Sequence, residues 1–233
     1  MERPLVVSTR CETVPIERLD PPLIGEMWRL FDGNYTGVSR RVFERDLSTK
    51  QHALILRNGS RIVGFTSQMF HEVDGYRVVY SGDVVVAPDS RDVGTACFFH
   101  QWAKSVWRKC DWWCSLSSGP RTFRIPYTFY KRVTPNLDGD EMPEETALRD
   151  RFATHAYGKA YDPGSGIVRL SEPYTLRPNE QRIRLNYPMG AYFRAANPGW
   201  RRGDELVSLV GLHPENWKPV AMRMLHWKKD DVE

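Results

Sequence analysis

Residues Ser81 to Lys109 read SGDVVVAPDSRDVGTACFFHQWAKSVWRK, and their order of strand, polar turn and helix decides the fold. Asp83-Val84-Val85-Val86-Ala87 is apolar and β-branched, as a buried strand should be. Pro88-Asp89-Ser90 stops it. Phe99, Trp102, Ala103, Val106 and Cys110 then recur at helical spacing, while His100, Gln101, Lys104 and Arg108 take the other face. The joint is Arg91-Asp92-Val93-Gly94-Thr95-Ala96. The first N–H groups of a helix lack internal partners and sit at the positive end of its dipole, and a glycine there lets a ligand approach the backbone. Such a joint suits a phosphate or pyrophosphate; glycine kept only for packing is the plain alternative.

Upstream lies an antiparallel meander. His52–Arg57 runs to Asn58-Gly59, a strong hairpin signal; Arg61–Phe70 returns; Asp74-Gly75 turns the chain into Tyr76–Tyr80. Gly82 interrupts the last strand and marks a bulge or a kink. Earlier still, Leu5–Thr9 is expected as a first strand and Pro21-Pro22 opens a helix carrying Leu23, Met27, Leu30 and Phe31, closed by Gly33-Asn34. Tyr35–Val38 reads as a loop, and Ser39 as the N-cap of a short helix with Val42, Phe43 and Leu47 inward. Downstream, Trp112–Ser118 is expected as a strand parallel to Asp83–Ala87, reached by a right-handed crossover. Pro143–Tyr157 is a helix ending at Gly158, Ile167–Leu170 a short strand, and Ala191–Ala195 with Glu205–Gly211 a terminal strand pair. The fold class is therefore α/β (α+β): a mixed, mostly antiparallel central sheet flanked by helices, with an insertion before the C-terminal strands. Residues 1–233 form one domain, of which 135–189 is an insertion or specificity segment.

Arg91-x-x-Gly94-x-Ala96, after a buried strand and opening an amphipathic helix, resembles the R/Q-x-x-G-x-G/A signature of the GCN5-related N-acetyltransferase superfamily. The resemblance covers residues 5–132 and 190–212. It implies that Arg91, Asp92, Val93, Gly94, Thr95 and Ala96 cradle the pyrophosphate of acetyl-coenzyme A and that Val85 and Val86 present backbone to its pantetheine arm. It also implies that the strand bulge splays the sheet to admit the thioester, and that Trp28 and Tyr35 contact the acceptor. The family's later Asn-Ala-Tyr-Gly-Phe pattern is incomplete here. Tyr130 stands for its Tyr, but Phe123 lies where the Asn belongs, Val133-Thr134 replaces Gly-Phe, and Pro126 breaks the helix pattern.

Acyl transfer from a thioester to an amine needs a base for the amine proton, donors for the carbonyl oxygen and an acid for the leaving thiolate. The candidate acid is Tyr130, with Tyr127 on a neighbouring helical face. The candidate bases are Asp83 beside the bulge and Glu72 and His71 near the meander turn. Each also has an ordinary structural reading: a core tyrosine, a hydrogen-bonded aspartate, solvated turn residues. The implied function is an N-acyltransferase moving an acetyl group to an amine of a small molecule or peptide by direct attack. The alternatives are a longer-chain enzyme fed by acyl-coenzyme A or an acyl carrier protein, and a silent binding module of the same fold.

Composition narrows the partners. The chain is 41% hydrophobic and 27% charged, as globular domains are. A net charge of +4 from 33 basic and 29 acidic side chains, with no basic run longer than two, gives no footprint for nucleic acid. Cys11, Cys97, Cys110 and Cys114 lack metal-ligand spacing, so no metal is expected. No stretch has the ~20 apolar residues of a membrane span, and the start carries no apolar leader, so a cytoplasmic location is expected. A homodimer and a monomer both stay open.

Overall fold

Local signals set where the elements begin and end. In chain order they are β1 (Thr9–Pro15), α1 (Pro21–Asn34), β2 (Tyr35–Thr36), α2 (Arg40–Ser48), β3 (His52–Asn58), β4 (Arg61–Val73), β5 (Tyr76–Val86), α3 (Arg91–Val106), β6 (Trp112–Ser117) and α4 (Pro120–Phe129). There follow α5 (Pro143–Tyr157), β7 (Tyr161–Asp162), β8 (Ile167–Val168), β9 (Thr175–Leu176), α6 (Pro188–Ala196), β10 (Glu205–Gly211) and α7 (Pro219–Met224). The structure, a computed structural model, describes residues 9–139, 142–177 and 188–224, with the side chains of 91–96 and 224 outside that description. Asp20 caps α1, accepting from the Leu23 N–H at 2.8 Å, and Ser39 caps α2 through the Val42 N–H at 3.3 Å. Asp74 and Gly75 both take left-handed backbone, with φ of 54° and 79°, as a two-residue hairpin turn between twisted strands requires.

The eight-stranded sheet runs β1-β3-β4-β5-β6-β10-β8-β7. Its one parallel pair among the described strands is β5 with β6, and α3 makes the crossover between them. The fold class is as expected, but three segments differ. The first described strand, Thr9–Pro15, runs on past Thr9, where the expected Leu5–Thr9 strand ends; residues 5–8 lie outside the described residues. Tyr35–Thr36 is a two-residue strand paired with Thr175–Leu176 instead of a loop. Ala191–Ala195 is not a strand but part of α6. Met189, Phe193 and Ala196 recur at helical spacing and pack together with Phe123 and Trp200, which overrides the β-like Tyr-Phe pair. The neighbour of β10 is instead β8, inside the segment expected as an insertion. That segment thus supplies α5, the last two strands of the large sheet (β8 and the edge strand β7) and β9 of the small one. Pro126 sits within α4 without ending it, because Phe123, Pro126 and Phe129 are all buried and their packing holds the turn.

Alternation along β5 sorts the core into two faces. Val79 joins Leu54, Leu56, Trp113 and the α3 residues Phe99, Trp102 and Val106 on one face. Val78 and Tyr80 join Phe152 of α5 on the other. The second face also carries α1 and α2, whose Met27, Phe31, Phe43 and Leu47 pack on Ala53, Ile55, Phe65 and Val85.

Candidate active site

Two irregularities in β5 build the site. Opposite β4, Thr66 pairs with Val84 but Gln68 pairs with Ser81, so Ser67 alone faces Gly82 and Asp83. This is the bulge expected at Gly82, and it adds one residue to β5. A Cβ at Gly82 would stand 2.6 Å from the Ser67 Oγ, so the close approach needs glycine. The added residue reverses the alternation: Asp83 and Val85, rather than Gly82 and Val84, share the face of Val78 and Tyr80. Opposite β6, the parallel ladder runs from Val78–Trp112 to Ser81–Ser115 and stops. Beyond that point β5 and β6 part, although β5 continues to Val86 and β6 to Ser117. The parted end of β5 leads through Ala87 and the short turn Pro88–Ser90 into α3, which begins at Arg91. The helix start thus falls on the expected joint; the side chains of Arg91, Asp92, Val93, Gly94, Thr95 and Ala96 lie outside the described residues.

On the α1/α2/α5 face, polar residues break the apolar rows at this level. Along β4, Phe65 packs with α1 and α2 while Met69 and Val73 pack with α5, and Ser67 lies between them. Along β5, Asp83 lies between Val85 and Tyr80. Along β10, Glu205 shares parity with the buried Val207 and Leu209, and it is only 5% exposed. These three residues make a polar band across the sheet face that carries α1/α2 and α5, the groove face, with Asp83 on β5 and Glu205 on β10, beyond β6. Tyr174 covers it, its hydroxyl donating to Asp83 at 2.6 Å and its ring set edge-on to Phe31 at 5.3 Å and Tyr35 at 5.1 Å. The Tyr35 hydroxyl stands 3.4 Å from Ser118 Oγ at the end of β6. Lys50, beside Gly82 and in an ion pair with Asp46 at 3.0 Å, closes the α2 side.

Burial dominates the electrostatics. It pushes the Asp83 carboxyl up to about 6; Asp46 adds to the rise, while the Tyr174 hydrogen bond and Lys50 oppose it. It pushes Glu205 up to about 8, helped by Asp83 and Asp46 and opposed by Lys50. Burial thus favours the neutral form of both carboxyls, and each raises the other's affinity for a proton.

The structure brings Asp83 and Tyr35 together at the groove. Trp28 lies behind it, stacked 6.2 Å from Phe31 and 5.6 Å from Phe43, in the α1/α2 core. Glu72 is exposed near the hairpin tip, opposite Arg77, and its parity is that of Phe70 on the α3 face. It is five residues from Ser67, roughly 17 Å along the strand. His71 is on the groove face but pairs with His155 at 3.2 Å near the same tip. Tyr130 is fully buried at the level of Trp113, where β5 and β6 are still paired. Its ring packs 4.8 Å from Trp217 and 6.0 Å from Trp113, its hydroxyl has no partner, and burial raises it well above the ordinary tyrosine value. The Tyr127 hydroxyl donates to the Pro135 carbonyl at 2.6 Å. Sequence reading passed over Glu205, although its parity with Val207 and Leu209 was a signal that it faces inward. Tyr174, isolated among prolines, gave none.

No family model and no curated protein matches the chain. Among solved structures it is similar to a conserved protein of unknown function from Enterococcus faecalis V583, described as a probable N-acyltransferase, at 17% identity and a TM-score of 0.42 over 54% of this chain and 33% of that one. The chain thus spans about a third of that protein's length. It is also similar to the NatC complex bound to Gag peptide and CoA, at 11% identity and a TM-score of 0.40 over 87% and 98% of the two chains. A third is an IAA acetyltransferase from Bacillus cereus ATCC 14579, at 11% identity and a TM-score of 0.39 over 54% and 80%. All three TM-scores lie below 0.5, and the chemistry of the site rests on this chain's own residues.

Proposed function

We propose that the protein is a coenzyme A-dependent N-acyltransferase that moves an acetyl group to an amine of a small molecule or peptide. The observation that carries this reading is the parting of β5 from β6 immediately after a bulge, with a carboxylate at the bulge and a helix start one short turn downstream. The backbone of residues 82–85, bonded to β4 but not laddered to β6, offers an edge for the pantetheine amides, and Val86 continues that stretch. The start of α3, Arg91 to Ala96, offers the pyrophosphate its N–H groups. Ser117 Oγ, buried without a partner on the parted end of β6, is a polar group waiting at the same opening.

Acetyl-coenzyme A supplies the activated acyl group as a thioester. Asp83 takes a proton from the incoming ammonium; the freed amine attacks the carbonyl carbon, a C–N bond forms and the C–S bond breaks, and the second proton that the nitrogen sheds on becoming an amide passes through solvent to the departing thiolate. Tyr35 and Tyr174 shape the acceptor side. Two inward carboxyls that burial pushes above their ordinary range favour a working enzyme over a silent module, since such groups cluster at functional sites. Neither a metal nor an acyl carrier protein is needed for this chemistry.

Thermal unfolding with acetyl-coenzyme A, coenzyme A and a long-chain acyl-coenzyme A tests the reading. A ligand at a hundredfold its Kd stabilises the folded state by about 2.7 kcal/mol. The expected result is a clear upward shift with acetyl-coenzyme A. A shift with the long chain alone would move the donor to a longer acyl group, and no shift with any of them would refute the assignment.

A further inference from the structure

A cavity of about 410 Å³ lies on the α3 face, between the C-terminal half of α3 and strands β1, β3 and β4. That is the size of a small-ligand site. His52 and Phe70 line it with rings set edge-on, 5.5 Å between centroids. His52 opens β3, pairing with Pro15 of β1 and Gln68 of β4. Two hydrogen bonds fix the walls: Gln101 Nε2 on α3 donates to Thr13 Oγ1 on β1 at 2.8 Å, and Gln68 Nε2 donates to Ser105 Oγ on α3 at 3.0 Å. Lys104 and Lys109 stand exposed at the rim. The remaining lining side chains are hydroxyls, an amide, an imidazole and a phenyl ring, and no carboxylate lines the cavity among the described residues. His52 adds an unmet polar atom, since its Nδ1 is buried without a partner. A buried N–H is rarely left unmet, so the neutral ring keeps its proton on Nε2, as a donor. Gln101 is ten residues past Arg91, about 15 Å along the helix, so the cavity is separate from the α3 start. The Asp83 groove is on the other side of the sheet.

We propose that this cavity is a second ligand site and that it binds a small phosphate monoester. The phosphate sits between the Lys104 and Lys109 ammonium groups, and the organic part of the ester lies against Phe70 and His52. Two point charges match a dianion; lysine takes phosphate in this way, whereas the planar fork of arginine is the better match to a carboxylate. The ring floor gives the ester an apolar contact that inorganic phosphate cannot use. A bound ester would also strengthen a clamp already present, because the Thr13–Gln101 bond joins the edge strand β1 to α3 at the same cavity. Occupancy of this site does not depend on the acyltransferase reading.

The test is calorimetry on the full chain without any acyl donor, above pH 7 where a phosphate monoester is a dianion, with phenyl phosphate, inorganic phosphate and benzoate as probes. Phenyl phosphate is expected to bind tightest. Benzoate, with one charge fewer, should be weaker by about fivefold or more, and each of Lys104→Gln and Lys109→Gln, exposed changes that spare the fold, should weaken phenyl phosphate by about fivefold. Nuclear magnetic resonance of the His52 imidazole, identified through His52→Gln, should show its signals moving as phenyl phosphate is added. No binding at millimolar phenyl phosphate would overturn the inference. So would a tie between phenyl phosphate and either benzoate or inorganic phosphate. Binding that survives both lysine substitutions and leaves the His52 signals unmoved would place the anion elsewhere, at the start of α3 for example, and would overturn it too.

Discussion

The two faces of the sheet follow opposite rules at the level where β5 and β6 part. On the α3 face, Phe99 stacks on Phe129 at 3.6 Å, Trp102 lies 4.5 Å from Trp113, and Tyr130 is sealed among tryptophans. On the other face, at the same height, Ser67, Asp83 and Glu205 interrupt rows that are otherwise apolar. The α3 face is closed and holds the sheet together across the gap in its ladder. The opposite face leaves charge where packing would be cheaper. The α3 face at this height also buries polar side chains, Gln68, Ser81, Ser115, Ser117 and Ser208, but all are neutral; the groove face differs in carrying two carboxylates, and ionisable groups with raised pKa are the commoner mark of chemistry.

The largest expected effect is on the closed face. Phe99→Ala removes a ring buried against Phe129 and Trp217 and should cost about 3–5 kcal/mol in denaturant unfolding; a loss below about 1 kcal/mol would mean that face is not the support it is taken to be. Next comes the open face. Asp83→Asn should leave unfolding stability intact or raised, because it removes a buried charge, while lowering acyl transfer by about 100-fold or more. In the wild type the rate should rise through the Asp83 titration at about 6, and the Asn variant should lose that limb. A variant with full activity and an unchanged pH profile would remove Asp83 as the base.

The third effect is on stability against pH. Glu205 is raised from its ordinary 4.5 to about 8, so the folded state gains from protonation. That gain is complete below the unfolded value and is lost as pH rises through about 8, and Asp83 acts in the same direction at lower pH. Thermal unfolding should therefore show the wild type losing stability between about pH 4.5 and 8, with a weaker decline in Glu205→Gln. A parallel decline in both proteins would show that Glu205 titrates normally. The smallest effect should come from Tyr130→Phe. Its hydroxyl is buried without a partner, so removing it should change stability by less than about 1 kcal/mol, in the stabilising direction if at all. Turnover should be unchanged. A large loss of turnover with intact folding would return Tyr130 to the role of acid.

What could be read from the sequence follows the same division. The Ser81–Lys109 stretch was legible because its signals are contiguous: a β-branched run, a glycine before it, a Pro-Asp-Ser stop and an amphipathic helix. The meander with its Asp74-Gly75 turn, the cap at Ser39, and α5 ending at Gly158 were legible for the same reason. The groove is assembled from α2, β4, β5, a segment between prolines and the start of β10, and no local pattern joins Lys50, Asp83, Tyr174 and Glu205. Two expectations met tertiary structure and gave way. The Ala191–Ala195 stretch became helix through its packing on Phe123 and Trp200. Tyr130, placed by family pattern, lies one level below the opening because α4 runs to Phe129 before the chain turns into the core.

Amide hydrogen exchange with and without acetyl-coenzyme A reports whether the opening between β5 and β6 receives the donor. Added protection is expected at residues 82–86, 91–96 and 116–118, with β1 and the β7–β8 edge unchanged. Protection confined to other parts of the chain, with 82–86 unaffected, would contradict it.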